Sequence, residues 1–343
     1  MWRLRGRRVL WPSRKGLRAE PAARLLGVSR LLVVVLALVL LAGCATPTSV
    51  LSVTDLFVDP TSPAATQAAE WDAAGRTADA DKMRVIAAQP IAKWLTSPTG
   101  QEAPVVADEV RRARAAGKTP FFVAYHVPFR DCGSFSGGGA TSSDDYRAWI
   151  REVAGALDGG PALVVLEPDA VPHEITGCGR SADRSALLAD AITVLDGAGA
   201  KVYLDAGNPG FVTDPNQVAD ALRRSGVEKA AGFSLNVANF WPTPDVVAYG
   251  KSVSRALGGT HFVVDTSRNG NGKPAGETVD GGPSFCNPPG RKLGQAPTQS
   301  TGEPLVDAYL WVKRVGESDG SCRPGEPAAG QWWPEYALAL AGG

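Results

Sequence analysis

The sequence predicts an α/β fold, a parallel sheet with helices packed on its outside. Three observations carry this. Short apolar runs recur along the chain, amphipathic stretches lie between them, and polar residues follow the runs. Alternation of this kind builds parallel sheets, because each crossover to a parallel neighbour needs a helix-length connection. A closed barrel and an open doubly wound sheet both satisfy it. The polar residues favour the barrel, whose C-terminal strand ends converge on one mouth where chemistry sits.

The runs are Phe121–Tyr125, Leu163–Leu166, Val202–Leu204, Phe233–Val237, Phe262–Val264 and Tyr309–Val312, with Val85–Trp94 expected to hold an earlier strand. They are rich in Val, Leu and aromatics and alternate only weakly, as strands buried on both faces do. Between them, Asp144-Asp145 is expected to start a helix through Tyr146, Trp149, Ile150 and Val153, stopped by Gly159-Gly160. A second helix, from Ser181, places Leu187, Leu188, Ala191, Ile192 and Leu195 on one face; a third carries Val218 and Leu222 and ends at Gly226. After successive strands stand Arg130-Asp131, Glu167-Pro168-Asp169, Asp205, Asn236 with Asn239, Asp265 to Arg268, and Lys313 to Asp319.

The chain has 343 residues and a formal net charge of zero, which hides an asymmetry. Residues 1–43 hold nine Arg/Lys against Glu20 alone, so the remainder carries 26 basic and 34 acidic residues. An acidic body argues against nucleic acid as a partner. The basic stretch precedes the apolar run Leu31 to Ala42, too short for a bilayer span and suited to a signal peptide. That run ends in Leu41-Ala42-Gly43-Cys44, which resembles a bacterial lipobox. The resemblance implies a signal peptide over 1–43, a lipidated Cys44 and a tether over 44–54. The protein is expected to be exported and held on the outer face of the cell membrane by the lipid alone, or secreted.

Four cysteines remain, Cys132, Cys178, Cys286 and Cys322. An even number in an exported chain reads as two disulfides. Of three possible pairings we favour Cys132–Cys178 and Cys286–Cys322, because each staples loops near the suspected site.

Several chemistries lack their motifs. There is no HExxH, and His126, His173 and His261 are isolated, so no metal site is expected. GxSxG is missing, and the glycine runs match neither a Walker nor a dinucleotide fingerprint. Carboxylates and aromatics remain, which is what glycoside hydrolysis uses: two carboxyls flank the bond and rings stack on sugar faces.

Particular segments carry a resemblance. Tyr125-His126-Val127-Pro128-Phe129-Arg130-Asp131-Cys132-Gly133 resembles a signature of glycoside hydrolase family 6, the endoglucanase and cellobiohydrolase family. Leu166-Glu167-Pro168-Asp169, Tyr203-Leu204-Asp205-Ala206-Gly207, Asp265-Thr266-Ser267-Arg268-Asn269-Gly270, and the stretch from Trp311 to Gly320 resemble others, in the family's order. The resemblance runs from about residue 55 to the C-terminus. It implies a catalytic domain over 55–343 folded as a distorted seven-stranded parallel β/α barrel. It further implies an inverting β-1,4-glucan hydrolase without metal or cofactor.

By the same resemblance Asp169 is the general acid and Asp131 its carboxylate neighbour. A free Asp titrates near about 3.9, so the donor's pKa must be raised, by burial or a nearby anion. Asp319 matches the candidate base. Inversion places the acid and base carboxyls roughly 6.5–9.5 Å apart, leaving room for a water. Lys313 and Glu317 match residues that hydrogen-bond the sugar, Tyr125 stands beside the reacting ring, and Trp94 matches a stacking tryptophan. Asp205 matches an acid lining the cleft, and Asn239 joins the expected substrate contacts. Two positions depart from the pattern: Asn208 stands where the family usually has His, and Phe211 where it commonly has a stacking Trp.

Only the stretch Gly320 to Gly330 separates Asp319 from Gln331-Trp332-Trp333. So short a loop predicts an open active-site cleft and internal cutting. The expectation is a monomeric endo-β-1,4-glucanase acting on cellulose-like glucan. The alternatives are a cellobiohydrolase and, given Asn208 and Phe211, a catalytically weak glucan-binding lipoprotein.

Overall fold

Seven strands lie in one sheet, all parallel and neighbouring in chain order: β1 Lys93–Leu95, β2 Phe121–Ala124, β3 Ala162–Leu166, β4 Ala200–Asp205, β5 Gly232–Leu235, β6 Phe262–Asp265 and β7 Val306–Leu310. The computed structural model describes residues 52–178 and 184–342. The signal segment, Cys44 and the Ser181 helix start lie outside the described residues.

The sheet curls until its edges meet. Ile91, just before β1, forms a parallel bridge with Trp311, just after β7, and the Ala92 N–H donates to the Trp311 carbonyl at 3.2 Å. The curled sheet has two buried faces. Phe122, Val164, Leu166, Val202, Leu204, Phe233, Phe262 and Val264 pack outward against helices. Phe121, Val123, Leu163, Val165, Tyr203, Val263, Ala308 and Leu310 fill the interior. This is the period-two alternation of a pleated strand with both faces apolar, which blurs the polar/apolar signal in sequence.

The helices follow from stripes of apolar residues. Ser143–Ala156 buries Tyr146, Trp149, Ile150 and Val153. Its N-cap is Ser142, whose hydroxyl accepts the Asp145 N–H at 3.1 Å. Arg184–Gly197 buries the five residues expected of it, and Pro215–Arg224 buries Val218 and Leu222 before Gly226 turns the chain at φ 76°. Each fully buried Leu or Ile side chain contributes roughly 1.5–3 kcal/mol.

Three expectations shift. The stretch Val85–Trp94 holds its strand only at its end: Thr77–Ala87 is a helix, and Lys93 and Trp94 pair in the sheet as part of Lys93–Leu95. Ala80, Met83 and Ile86 recur at helical spacing and are buried, whereas Val85 is 52% exposed. β7 begins earlier than the Tyr309–Val312 run, because Val306 and Ala308 already pair with β6. The end of the stretch expected as tether is packed: Val53–Asp55 forms a 3-10 turn, and the Val53 N–H donates to Gln299 at 3.1 Å.

Candidate active site

The strands' C-terminal ends open into a cavity of about 510 Å³. Its wall draws on every strand exit: Trp94 from β1, Tyr125, Asp131, Cys132 and Ser134 after β2, Pro168 and Asp169 after β3, Lys273 and Glu277 after β6. Asn208 and Phe211 follow β4, Val237 to Asn239 and Trp241 follow β5, and Lys313 and Asp319 follow β7. Sequence-distant acids thus meet because parallel strands deliver their exits to one end.

Beneath the cavity the interior columns of the barrel end in polar groups. Leu163 and Val165 lead to Glu167, Tyr203 leads to Asp205, and Val263 leads to Asp265, each one alternation further along its strand. All three are at most 1% exposed. Each carboxylate accepts main-chain N–H groups from the strand exits around it. Glu167 takes those of His126 and Val127, at 3.0 Å. Asp205 takes those of Asp169 at 2.9 Å and Gly207 at 3.0 Å, and the Ser234 hydroxyl donates to it at 3.0 Å. Asp265 takes those of Ala238 and Lys313 at 3.0 Å and Ser267 at 2.9 Å. These exits would otherwise leave buried donors unpaired. Asp205 therefore does not line the cleft; it lies behind the wall and holds Asp169 in place.

The exits are also strained. Phe129, Asp131, Cys132, Glu167, Asp169, Asn236 and Ala238 all have positive φ, between 48° and 67°. Each costs on the order of 1–3 kcal/mol for a side chain with a Cβ, and such residues cluster where geometry serves chemistry. At Asp169, φ 67° turns the side chain to the cavity wall directly before the helix Ala170–Ile175.

Electrostatics separates the cavity's carboxyls. Asp169 is held well above the ordinary carboxylate range, first by burial, then by the charge of Asp205, then by Asp131. Burial also pushes Asp205 to about 7, although its hydrogen bonds oppose this. Asp131 is raised by burial, while the Ser136 N–H donates to it at 2.7 Å. The charge of Arg130 lowers it in part, but Arg130 makes no ion pair with it among the described residues: that guanidinium donates to the carbonyls of Tyr125 and Ser136, at 2.6 and 2.9 Å, and lies over the Tyr125 ring. Asp319 goes the other way. Burial would raise it, but Arg268 at 2.9 Å and Lys313 at 3.1 Å outweigh burial and hold it ionised. One acid protonated and another ionised, in one cavity, is the arrangement of acid–base work.

Trp94 and Tyr125 meet edge to face, centroids 5.2 Å apart, and the Trp94 indole N–H donates to the Val312 carbonyl at 2.8 Å. Phe211 meets His173 edge-on at 5.2 Å. Asn208 accepts the Gly210 N–H at 3.0 Å, and Asn239 accepts that of Phe240 at 2.9 Å. Glu317 is buried against Arg314 at 2.9 Å and is not part of the cavity wall.

Both disulfides have the favoured pairing. Cys132–Cys178 ties the turn of Asp131 to the segment just after the helix that follows Asp169, and Cys286–Cys322 braces the loops beside Asp319. Sequence reasoning missed several participants. Arg268, inside a quoted motif, pairs with Asp319. Asn287 exchanges main-chain and side-chain bonds with Asp319 at 3.0 and 2.7 Å. Trp241 joins the wall with Lys273 4.6 Å above its ring. No local pattern marks them, since each acts across a fold contact. The alternation that carries Glu167, Asp205 and Asp265 inward could have been read.

A family profile described as glycosyl hydrolases family 6 matches residues 51–343. The chain is 44% identical over 288 residues to endoglucanase A of Cellulomonas fimi, covering 83% of this chain and 60% of that protein. It is 38% identical over 296 residues to endoglucanase 1 of Streptomyces halstedii, covering 83% and 87%. A cellobiohydrolase C of Aspergillus niger, so named as probable, matches at 31% over 310 residues, covering 72% and 66%. The chain spans about three fifths of the length of the Cellulomonas protein and of endoglucanase A of Thermobispora bispora. Among solved structures, an endoglucanase of Mycobacterium tuberculosis superposes with a TM-score of 0.76 at 38% identity, over 84% of this chain and 96% of that one.

Proposed function

The chain belongs to glycosyl hydrolase family 6, and from that premise we propose that it hydrolyses internal β-1,4-glucosidic bonds of cellulose-like glucan with inversion. The observation that carries this is the split between Asp169 and Asp319, one carboxyl held protonated and one held ionised on the same cavity wall. Asp169 gives its proton to the glycosidic oxygen as the bond to the anomeric carbon breaks. A water on the opposite sugar face supplies the new hydroxyl, and its proton leaves toward Asp319, directly or through further water. Trp94, Tyr125, Phe211 and Trp241 offer ring faces and edges to the sugars.

Internal cutting is supported by the short Gly320–Gly330 stretch and by the bacterial relatives named endoglucanase, 38–44% identical against 31% for the cellobiohydrolase C of Aspergillus niger. The two disulfides suit an oxidising compartment outside the cytoplasm. With the lipobox-like Leu41-Ala42-Gly43-Cys44, they support export and anchoring through lipid on Cys44.

The test is hydrolysis of carboxymethylcellulose by wild type and Asp169→Asn. New reducing ends from wild type, a viscosity fall outpacing sugar release, and a loss of about 100-fold or more in the variant are expected. Binding without new ends overturns the hydrolase reading, and sugar release without early viscosity loss overturns internal cutting.

A further inference from the structure

We propose that Arg184 is a positioning residue of the reaction: its buried guanidinium ties the loop carrying Asp131 to the turn carrying Asp169, and so fixes how the two carboxyls face each other. This rests on the hydrolase reading above.

Arg184 is 2% exposed. One terminal nitrogen, Nη2, donates to the Pro128 carbonyl at 3.2 Å, in the segment leading to Asp131; the other, Nη1, donates to the Ala170 carbonyl at 3.5 Å, next to Asp169. Among the described residues its Nε has no partner. The acids whose charge reaches it are engaged elsewhere: Glu167 with the His126 and Val127 N–H groups, Glu174 with Ser185 and Arg224. Among the described residues no carboxylate pairs with it directly.

Such a group is a poor choice for stability alone. A buried guanidinium without an ion pair is costly, and a methionine or leucine would fill the space without that cost. What arginine adds is a rigid fork of donors able to hold two carbonyls at once. Those carbonyls belong to the exits of β2 and β3, which carry Asp131 and Asp169. The same two segments are joined further along by Cys132–Cys178. With the Glu167 carboxylate, which accepts the His126 and Val127 N–H groups nearer the strands, these ties fix the relative orientation of the two exits at successive points, and the Arg184 fork holds the stretch between them.

Orientation matters because Asp169 is faced by Asp131 from the β2 exit, Asp205 from β4 and the Tyr125 hydroxyl from the cavity wall. The contribution of Asp131 depends on its distance from Asp169. Without the Arg184 fork, Asp131 acts on Asp169 less strongly, and Asp169 loses its proton at lower pH.

The experiment compares wild type, Asp169→Asn, Arg184→Met and Arg184→Lys on carboxymethylcellulose, with melting temperatures taken alongside. Arg184→Met is expected to melt at or above the wild-type temperature. Its kcat should fall about 10- to 100-fold with KM within about 2-fold, and the alkaline limb of kcat should move to lower pH. Arg184→Lys, a cation with donors at one point, should recover only part of the rate. Unchanged kcat and pH profile in Arg184→Met overturn the proposal; so does a rate that falls in step with melting temperature while the limb stays. Should Arg184→Met not fold, an unmoved limb in Arg184→Lys overturns it. An inactive wild type sinks the hydrolase reading and this inference together, whereas an active wild type with an unaffected variant sinks this inference alone.

Discussion

The main-chain N–H of Asp169 donates to the carboxylate of Asp205 at 2.9 Å. This bond places a second buried carboxyl directly behind the proposed proton donor. The acid is held in a strained left-handed turn by the same group whose charge discourages its ionisation. Positioning and pKa tuning are therefore one interaction, and Asp131 supplies a smaller, second charge.

Asp205→Asn should separate these roles. The amide keeps an acceptor for the Asp169 N–H and removes the charge. Asp205 raises the Asp169 pKa, so its neutralisation lowers that pKa, and the protonated donor is lost at lower pH. The alkaline limb of kcat should move down while burial keeps Asp169 above an ordinary carboxylate. A pH–rate profile checks this; an unmoved limb would contradict it.

Arg268 and Lys313 hold Asp319 ionised, and Arg268→Gln should remove one of these two cations. With one cation gone the Asp319 pKa rises, so the acidic limb of kcat moves to higher pH. Stability should respond with the same sign. A depressed native pKa contributes stability above the unfolded value of about 3.9, lost as pH falls through the native one, and the variant should have less of it to lose. Asp319→Asn leaves both buried cations uncompensated and should cost on the order of 3–5 kcal/mol, read by denaturant unfolding at neutral pH.

Phe211→Trp enlarges a ring already on the cavity wall. A larger stacking face should strengthen sugar binding by about 0.5–1.5 kcal/mol, a fall in KM of about 2- to 10-fold with kcat unchanged. Steady-state kinetics on soluble cello-oligosaccharides reads it. A change in kcat alone would place Phe211 at the reacting sugar instead.

Cys44→Ala should release the protein from the membrane fraction to the medium. Wild type should also take up a fatty-acid label that the variant does not. Equal distribution of the two would remove the lipid anchor from the account.

The sequence by itself determined the strand–helix rhythm, the cysteines that pair, and the acids at the strand exits. Local patterns carry these: apolar periodicity, turn residues and ordered motifs. Only the tertiary structure decided which acids meet the cavity and which lie beneath it. Asp131, Asp169 and Asp319 line the wall, whereas Glu167, Asp205 and Asp265 cap the barrel's interior columns and take main-chain N–H groups from neighbouring exits. Both kinds follow an apolar run, so position after a strand cannot separate them. The difference lies in strand parity and in donors from other strands, such as Ala238 for Asp265. The same holds for the ionised state of Asp319, set by Arg268 from the exit of another strand. A carboxyl's role here depends on which partners surround it in space, and closure of the parallel barrel is what brings those partners together.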